Sequence, residues 1–532
     1  MKIQAGNLRN KIEVQRKKWT FGLFGLVFLG LYWWLGFDGI TFSDDVYYML
    51  AGKEFWMGDF QVNEHHFSSR WGAYIPAGLM GLIFGFSPQA MSLVSLLSYG
   101  ISLILLLKIL PKGHSPFILS IWFITQVYFL HFLTKVYPDS LLVVCVALTF
   151  FAAIRRKEQP ILGGILMSLA LFIGFISKET IVFLFPFPFL LLYVDQKSNK
   201  LVWRFYLSLV VTGLIFLSLY LSYFWLAFGD PFYRISSINA GHYISEFTYA
   251  DKGLGAIVER LTITPFLTFV ERNYWPWLVF ALPGLVRSLN SKNEKGFEVG
   301  LGFLLLLIGF WFMSSTLDFY NPIYLNPRHL IILIPALAYL ISLGWESWVF
   351  SRKWKQALTT LLLMGIGLAL FQNDLKNTAF LLAFIPVIWI QKIKIQTIFL
   401  GGLLILPTLF SVYYQKQVKD YSYFINTFNE SIQSIDKEEI ILVNNFVYFS
   451  RNMLFPDENQ TQNWVAIEKL DSLKSIAPKQ LKVMIYDYYL HAYPKESEDV
   501  KELEKWLQSD YQLTGRIDRK PVEIREYSKR SD

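Results

Sequence analysis

The heptapeptide Phe42-Ser43-Asp44-Asp45-Val46-Tyr47-Tyr48 follows directly on the first hydrophobic span of the chain, at 19–37. Its two adjacent carboxylates allow two interpretations. Acidic groups at the edge of a membrane are costly, which makes them candidates for a functional role. Alternatively, Ser43 or Asp44 caps a helix that begins near Val46, with the acid at the positive end of the helix dipole. The heptapeptide alone favours neither interpretation.

Apolar runs of membrane-spanning length recur along most of the chain, from Trp19 to about Tyr413. The 532 residues are 54% hydrophobic and 17% aromatic, with a mean hydropathy of +0.37, which is too apolar for a soluble protein of this size. A β-barrel is excluded, because its strands would be short and alternating. The single cysteine, Cys145, excludes a disulfide framework. The sequence therefore predicts a polytopic α-helical membrane protein.

The loops between the apolar runs alternate in charge. About thirteen spans are predicted, at 19–37, 88–107, 115–134, 138–154, 160–177, 180–194, 205–227, 276–290, 297–315, 329–345, 356–371, 378–391 and 395–413. One set of loops is short and rich in Lys and Arg, and the other is longer and carries far fewer. Because basic loops stay in the cytoplasm, we expect a cytoplasmic N-terminus and an outer C-terminal region.

The composition changes after the last apolar run. Residues 1–414 are predicted to form the transmembrane domain, and 415–532 a soluble domain on the outer face. The runs 440–443 and 481–486 are typical of buried strands. One face of a helix is indicated by Val500, Leu503, Trp506 and Leu507. Strands that alternate with helices predict a small α/β domain.

Unusual polar residues gather in the predicted outer loops, chiefly 38–87, 228–275 and 316–328. Simpler explanations remain open for several of them. Asp139, after Pro138, is a plausible helix N-cap. Lys178 and Glu179 could form a turn ion pair. Arg328 could anchor the chain at lipid headgroups. If these simpler explanations were all correct, unrelated polar residues would have gathered on the same face of the membrane by coincidence.

Several short motifs occur in a fixed order between residues 20 and 345. They are Asp44-Asp45 with Tyr48, the amphipathic segment 51–58, Arg70-Trp71 with Pro76, Tyr137-Pro138-Asp139, Gly174-Phe175-Ile176-Ser177-Lys178-Glu179, and Pro327-Arg328-His329-Leu330 leading into 335–338. In this order they resemble the GT-C type glycosyltransferases that use polyprenyl-phosphate sugars. These include protein O-mannosyltransferases, lipid A aminoarabinose transferases and lipopolysaccharide-core sugar transferases. The resemblance implies a GT-C-like fold with catalytic outer loops.

Two positions depart from the family pattern. Asp45 stands where Glu is common, and the usual Lys-Pro-Pro after the first loop is replaced by Ser69-Arg70-Trp71-Gly72. These departures leave the subfamily open, and with it the sugar and the acceptor.

The chemistry implied by the resemblance needs a carboxylate to take a proton from the acceptor hydroxyl and cations to hold the departing phosphate. Asp44 is the predicted base, and the predicted catalytic group is Asp44, Asp45 and Asp139. The predicted donor-phosphate group is Arg70, Lys178, Arg328, Tyr48 and Tyr137. Residues that could bind a metal or the acceptor are Glu64, His66, His242 and Glu179. No cofactor is required for this reaction, although a divalent metal could take part.

The sequence thus predicts an integral plasma-membrane glycosyltransferase that moves a sugar from a polyprenyl-phosphate carrier to a hydroxyl acceptor on the outer face, with inversion. The acceptor would be a lipid, a glycan or a protein. Two alternatives stay open. A transporter or flippase for a lipid-linked sugar would have polar residues near the middle of its spans. A non-catalytic assembly protein would tolerate the loss of Asp44, Asp139 and Arg328.

Overall fold

The structure is a computed structural model that describes residues 2–241, 248–290, 296–433, 439–455 and 461–530. The first helices are α1 (Lys2–Leu35), α2 (Asp44–Met57), α3 (Trp71–Phe84), α4 (Pro88–Met91), α5 (Leu93–Ile109), α6 (Pro116–Ile124), α7 (Val127–Leu133), α8 (Pro138–Arg155), α9 (Pro160–Ser177) and α10 (Pro186–Lys197). They are followed by α11 (Trp203–Phe228), α12 (Tyr233–Gly241), α13 (Leu254–Thr262), α14 (Thr264–Glu271), α15 (Trp275–Asn290), α16 (Phe297–Phe312), α17 (Pro327–Leu330), α18 (Ile334–Val349), α19 (Arg352–Phe371), α20 (Leu375–Trp389) and α21 (Ile393–Lys419). The C-terminal part contains α22 (Tyr421–Gln433), β1 (Ile440–Val443), α23 (Asn445–Leu454), β2 (Trp464–Ala466), α24 (Leu470–Ile476), β3 (Gln480–Tyr486), α25 (Pro494–Asp510), β4 (Tyr511–Arg519) and β5 (Val522–Lys529).

Nine helical segments in the described part of the chain are long and apolar enough to cross a membrane, or ten if α6 and α7 count as one span. The polytopic helical class is therefore confirmed, but the predicted count of thirteen spans is not. Three predicted spans, 276–290, 297–315 and 378–391, correspond to α15, α16 and α20, which have only 15 or 16 residues. A helix of that length covers at most about 24 Å, less than the roughly 30 Å of a bilayer core.

The predicted span 115–134 is not a straight helix. It breaks after α6, and α7 continues at an angle of 69°. The break occurs where Gln126 turns its side-chain oxygen back to the amide of Phe129, at 2.7 Å, and so caps α7. This bend directs the end of α7, with His131, toward the loop that precedes α2, where the ring lies 3.9 Å from Asp38.

Helices α2 and α3 form a hairpin within the first predicted outer loop, 38–87. Their backbones touch at Gly52 and Gly78. A Cβ atom on Gly78 would lie only 2.2 Å from the carbonyl oxygen of Gly52, so neither helix has room for a side chain at this crossing. The contact fixes the helix that begins with Asp44 against the helix that follows Arg70.

The C-terminal part is the α/β domain that the sequence predicted. Its five strands are in the order β2-β1-β3-β5-β4, with β1 parallel to β2 and β3, and β5 antiparallel to β3 and β4. The two predicted strands are β1 and β3, and the predicted helix face belongs to α25, where Leu503 and Leu507 are buried in the domain core. The predicted boundary at 414/415 falls inside α21, which runs on to Lys419.

A buried ion network joins four helices at the end of the molecule opposite the C-terminal domain. Arg156, directly after α8, contacts Asp195 of α10 through two nitrogens, at 2.7 and 2.8 Å, and Glu298 of α16 at 2.6 Å. The hydroxyl of Tyr206 in α11 also donates to Asp195, at 2.7 Å. Because the guanidinium is only 2% exposed, removal of its charge would leave two carboxylates without their counter-ion.

We expect Arg156→Ala to destabilise the protein by about 3–5 kcal/mol, the usual cost of breaking a buried ion pair. Thermal unfolding of the full chain in detergent measures the effect. The neighbouring Arg155 supplies the control, because its pair with Glu158 is largely exposed and its removal should cost less than about 1 kcal/mol. Equal stability of the two variants would show that the network does not hold the helices together.

Candidate active site

Acidic and basic side chains from distant parts of the chain meet beside the start of α2. The groups are Asp44 with Arg328, Asp139 with Lys178, and Glu179 with both Arg70 and Arg234. The charges of Arg328, Lys178 and Arg70 all act on Asp44, so the three groups belong to one cluster. The structure thus brings together six charged residues that the sequence singled out from four separate segments.

Asp44 is the first residue of α2 and its carboxylate faces Arg328. The Asp44 Oδ2 atom lies 2.7 Å from the Arg328 guanidinium, and each side chain is about one-fifth exposed. The guanidinium also lies over the ring of Tyr137, with 4.9 Å to the ring centre. Asn326 caps α17 at 3.1 Å from the Arg328 amide and so fixes the backbone of that arginine. Asp44 is therefore a carboxylate held in place at a surface that substrate can reach.

Asp45 has a different environment from its neighbour. It is 1% exposed, and its carboxylate accepts hydrogen bonds from the backbone amides of Thr41 at 2.7 Å, Ser43 at 3.2 Å and Val46 at 3.0 Å. Burial raises the pKa of Asp45 despite these bonds. Asp45 therefore holds the helix start, whereas Asp44 faces outward. These contacts give Asp45 a positioning role, and its predicted part in catalysis stays a prediction.

Asp139 and Lys178 form a fully paired group. The Lys178 ammonium lies 2.8 Å from each oxygen of Asp139, whose side chain is completely buried. Asp139, directly after Pro138, thus binds Lys178 and does not cap α8. Burial lowers the pKa of Lys178 to about 8, and the charge of Asp139 opposes this effect. Asp139 therefore fixes a cation that lies close to the pair of Asp44 and Arg328.

Glu179 joins two arginines. It accepts from Arg70 at 2.8 and 3.3 Å and from Arg234 at 3.1 Å, and the second terminal nitrogen of Arg70 donates to the hydroxyl of Tyr48 at 2.8 Å. Lys178 and Glu179 therefore do not form an ion pair with each other, which was the simpler explanation left open by the sequence. One carboxylate faces two guanidinium groups, which leaves a positive charge for an anionic ligand.

Arg234 was not among the predicted site residues. Its side chain is 1% exposed, lies over the ring of Phe175 at 4.6 Å, and has an Nε atom without a hydrogen-bond partner among the described residues. The sequence offered only a weak signal, an isolated arginine at the start of the long outer loop 228–275. Its pairing with Glu179 could not be predicted, because the two residues lie 55 positions apart.

The C-terminal domain binds the loop that leads to Asp44 through two tyrosine hydroxyls. Phe42 is 2% exposed and has a positive φ of 56°, a strained conformation for an aromatic residue. The hydroxyl of Tyr489 donates to the carbonyl of Ile40 at 2.9 Å, and that of Tyr493 donates to the carbonyl of Phe42 at 2.8 Å. The two tyrosines stabilise this backbone, so the domain contributes to the position of Asp44.

Sequence reasoning also missed a buried cluster around Asp38. Its carboxylate pairs with Lys135 and, at 2.6 Å, with Lys419, while the ring of His131 lies 3.9 Å away. Asp38 and Lys419 are 381 residues apart, so no local pattern connects them.

Of the residues predicted for a metal or acceptor, the three that the structure describes do not form a metal site. Glu64 is exposed, and its backbone carbonyl accepts from Ser237 at 3.0 Å. The ring of His66 packs against Phe67 at 4.1 Å, and Glu179 binds two arginines. His242 lies outside the described residues. In the described ranges no three His, Cys, Asp or Glu side chains could hold a metal ion together. The involvement of a metal stays a prediction.

The surrounding charges keep Asp44 and Arg70 ionised. Burial alone would raise the pKa of Asp44, but the charge and hydrogen bond of Arg328, followed by Lys178 and Arg70, hold that pKa below its ordinary value. Burial likewise opposes ionisation of Arg70, whereas Glu179 and Tyr48 keep its pKa above the ordinary value. An ionised carboxylate thus lies among cations at neutral pH, a pattern that suits proton removal from a hydroxyl beside a departing anion.

Comparison with solved structures supports the fold. The chain is similar to ArnT from Cupriavidus metallidurans bound to undecaprenyl phosphate, with a TM-score of 0.60 at 9% sequence identity over 95% of this chain and 97% of that one. It is also similar to ArnT from the same organism in the apo state, with a TM-score of 0.59 at 11% identity over 94% and 97%. No protein-family model and no curated protein matches the sequence. The predicted GT-C fold is confirmed, since the similarity extends over nearly the whole chain.

Proposed function

We propose that this protein is a membrane glycosyltransferase that moves a sugar from a polyprenyl-phosphate carrier to a hydroxyl group of an acceptor. The observation that carries the proposal is the partly exposed pair of Asp44 and Arg328, with Lys178 and Arg70 close by. The GT-C fold supports a transferase, and a solved structure with the same fold binds undecaprenyl phosphate. The sugar, whether a hexose or a pentose, is left open.

In the proposed reaction Asp44 is the base. Its carboxylate takes the proton of the acceptor hydroxyl while the hydroxyl oxygen attacks the anomeric carbon of the sugar. The bond from that carbon to the phosphate oxygen breaks, and the phosphate keeps the electron pair. One displacement inverts the anomeric centre and needs one base. The products are the glycosylated acceptor and polyprenyl phosphate.

Arg328 serves both reacting groups in this scheme. It holds Asp44 at 2.7 Å before the substrates arrive and presents further N–H donors beside it. A donor phosphate next to this guanidinium would share its charge, which weakens its hold on Asp44 and makes the carboxylate a stronger base. The same cation then stabilises the phosphate as it departs.

The other cations complete the phosphate site. Lys178 is held by Asp139, while Arg70 and Arg234 share Glu179. With Arg328, four cations thus lie beside three carboxylates, and the remaining positive charge is available to a phosphate anion. We assign the predicted donor roles of Tyr48 and Tyr137 to support of these cations, since Tyr48 accepts from Arg70 and Tyr137 lies under Arg328.

Buried aromatic side chains connect Arg234 to helix α11. The ring of Trp71 stacks on Phe224 at 5.5 Å, and Tyr220 accepts from Arg234 at 3.1 Å. Helix α11, which supplies both Phe224 and Tyr220, is mostly exposed and apolar, as expected for a surface that faces lipid. The carrier phosphate could thus meet the arginines while its chain stays in the lipid.

We propose an integral plasma (inner) membrane location, with the N-terminus in the cytoplasm and the C-terminal domain outside. The charge asymmetry of the loops supports this orientation.

We expect the reaction to need no cofactor, because the protein places its own cations around the phosphate site. Transfer should therefore retain most of its rate after the protein is treated with EDTA and assayed without added metal. A loss of activity that Mg²⁺, Mn²⁺ or Zn²⁺ restores would contradict this expectation and place a metal in the reaction.

The donor class can be tested with membranes that contain the full-length protein. They would be supplied with sugar-labelled polyprenyl phosphate or with the labelled sugar nucleotide, and label in non-carrier products would be counted. We expect transfer from the first donor alone, under conditions that block synthesis of the carrier. Transfer from the sugar nucleotide alone would overturn the proposal.

A flippase for a lipid-linked sugar is the second candidate. The charged groups described here lie at the ends of helices, at the starts of α2, α8 and α17 and after α9, instead of near mid-span. This location favours a transferase, because transporter sites lie near the bilayer midplane.

A further inference from the structure

A polar cavity is lined in part by the loop that leads to Asp44. It has a volume of about 420 Å³, within the range of small-ligand sites. Five parts of the chain line it: the end of α1 with the loop after it, helix α7, the turn between α14 and α15, the last part of α21, and the short helical turn Asp487–Ala492 of the C-terminal domain. None of Arg70, Lys178, Glu179 and Arg234 is among its lining residues. The cavity is thus distinct from the cation group assigned to the donor phosphate.

Two buried lysines share one carboxylate in the wall of this cavity. Lys135 and Lys419 are 2% and 3% exposed, and both contact Asp38. Among the described residues, Asp38 is the one carboxylate that these two ammonium groups contact. The charge of Asp45 also acts on Lys135, whereas Lys419 contacts only the shared Asp38 among the described carboxylates, so Lys419 can pair with an anion from outside the protein.

Lys419 is the cation best placed to meet a ligand. It lines the cavity, and its ammonium group lies 5.6 Å from the ring centres of both Tyr488 and Tyr489. Its described bond to Asp38, at 2.6 Å, uses one of its three N–H donors. Lys135, in contrast, also donates to the carbonyl of Gly39 and the hydroxyl of Thr134, so its three donors are engaged.

The rest of the lining suits a ligand with hydroxyl groups. Polar side chains there include Gln415, Asn273, His491 and Tyr128. Such side chains both donate and accept hydrogen bonds, as recognition of a sugar or polyol requires. An anionic headgroup that bears hydroxyl groups would use both the lysine and this polar lining.

The cavity and Asp44 share a wall. Thr41 lines the cavity, its hydroxyl lies 2.6 Å from that of Tyr137, and the ring of Tyr137 lies under the guanidinium that holds Asp44. Thr41 and Tyr137 thus connect a headgroup in the cavity to the guanidinium that holds the base.

We propose that this cavity binds the anionic, hydroxyl-bearing headgroup of the acceptor, with Lys419 as its counter-ion. The identification of the ligand as the acceptor rests on the proposed function, whereas binding of an anion in the cavity does not depend on sugar transfer. Lys419 is the residue that would select such acceptors over neutral ones, and Gln415 would bind their hydroxyl groups.

Binding of glucose 1-phosphate to the full-length protein in nanodiscs of neutral lipid, measured by equilibrium dialysis, tests this proposal. We expect saturable binding that glucose does not compete for, and about tenfold or greater weakening in Lys419→Gln, since a hydrogen bond to a charged group is lost. Lys416→Gln is the matched control, because Lys416 is exposed on the same helix one turn away. Arg70→Gln reports any binding at the donor cations.

Gln415→Glu provides a second variant that leaves the buried cluster intact. It adds a negative charge to the cavity wall and should weaken binding in the same direction, while Gln415→Asn should not. Competition by inorganic phosphate alone at equal affinity would show that the site selects a free anion and would overturn the headgroup assignment. Equal binding by wild type, Lys419→Gln and Gln415→Glu, or a loss confined to Arg70→Gln, would overturn the site itself. Because dialysis needs no turnover, these results are independent of whether transfer occurs.

Discussion

Asp44→Asn should lower the rate of sugar transfer by about 10²–10⁴-fold, the usual contribution of a positioned general base. The amide has nearly the shape of the carboxylate and can still accept a bond from Arg328, but it cannot take the proton of the acceptor hydroxyl. Because only the base is lost, donor binding should change little. Initial rates over a range of donor concentrations separate the two effects, since kcat should fall and the donor KM should stay near its original value.

Asp59→Asn is the control for this experiment. Asp59 is an exposed acid in the same predicted outer loop, so its neutralisation changes the local charge without removing the proposed base. Both variants should match wild type in expression and in thermal unfolding. If Asp44→Asn transferred sugar as fast as Asp59→Asn, Asp44 would be only a favourable charge at a helix start.

Arg328→Gln should lower the transfer rate by about 10²–10³-fold, as loss of one donor to a developing negative charge usually does. It should also move the acid limb of the pH profile. In wild type, Arg328 helps hold the pKa of Asp44 below its ordinary value, so the carboxylate stays ionised to lower pH. Without Arg328 that pKa rises, Asp44 is protonated at a higher pH, and the acid limb of kcat/KM shifts upward.

Arg328→Lys separates the two roles. A lysine keeps a positive charge near Asp44 but lacks the planar fork of the guanidinium, so it should retain a low acid limb and lose part of the rate. Arg516→Gln is the control, because Arg516 is an exposed arginine of the C-terminal domain that pairs with Asp518 and Glu523 instead of Asp44. An unchanged acid limb in Arg328→Gln would contradict the coupling between this arginine and the base.

The fold class followed from the sequence because hydropathy and loop charge are local properties. Membrane-spanning length, the α/β pattern after residue 414 and the resemblance in motif order are all read from neighbouring residues. The span count was less accessible, since α15, α16 and α20 were predicted as spans but have only 15 or 16 residues, and because Gln126 breaks one span where hydropathy stays high. Hydropathy alone does not report helix length or direction.

The site was predictable in its residue types but not in its pairings. The sequence identified Asp44, Lys178 and Arg328, yet it could not tell that Asp45 is turned toward backbone amides while Asp44 faces an arginine. That difference arises because successive residues at a helix start point in different directions. Arg234 and the cluster of Asp38 with Lys419 were missed, because their partners are far away in sequence.

The most direct test of the central claim is a balance of products made by the purified full-length protein in liposomes. Sugar-labelled polyprenyl phosphate and a membrane extract that contains acceptors would be supplied, and both the released polyprenyl phosphate and the label in acceptor would be measured over time. The account predicts that the two products appear in equal amounts in wild type and are nearly absent in Asp44→Asn. Label that crosses the bilayer while still attached to its carrier, with no polyprenyl phosphate released, would contradict the account and identify a transporter.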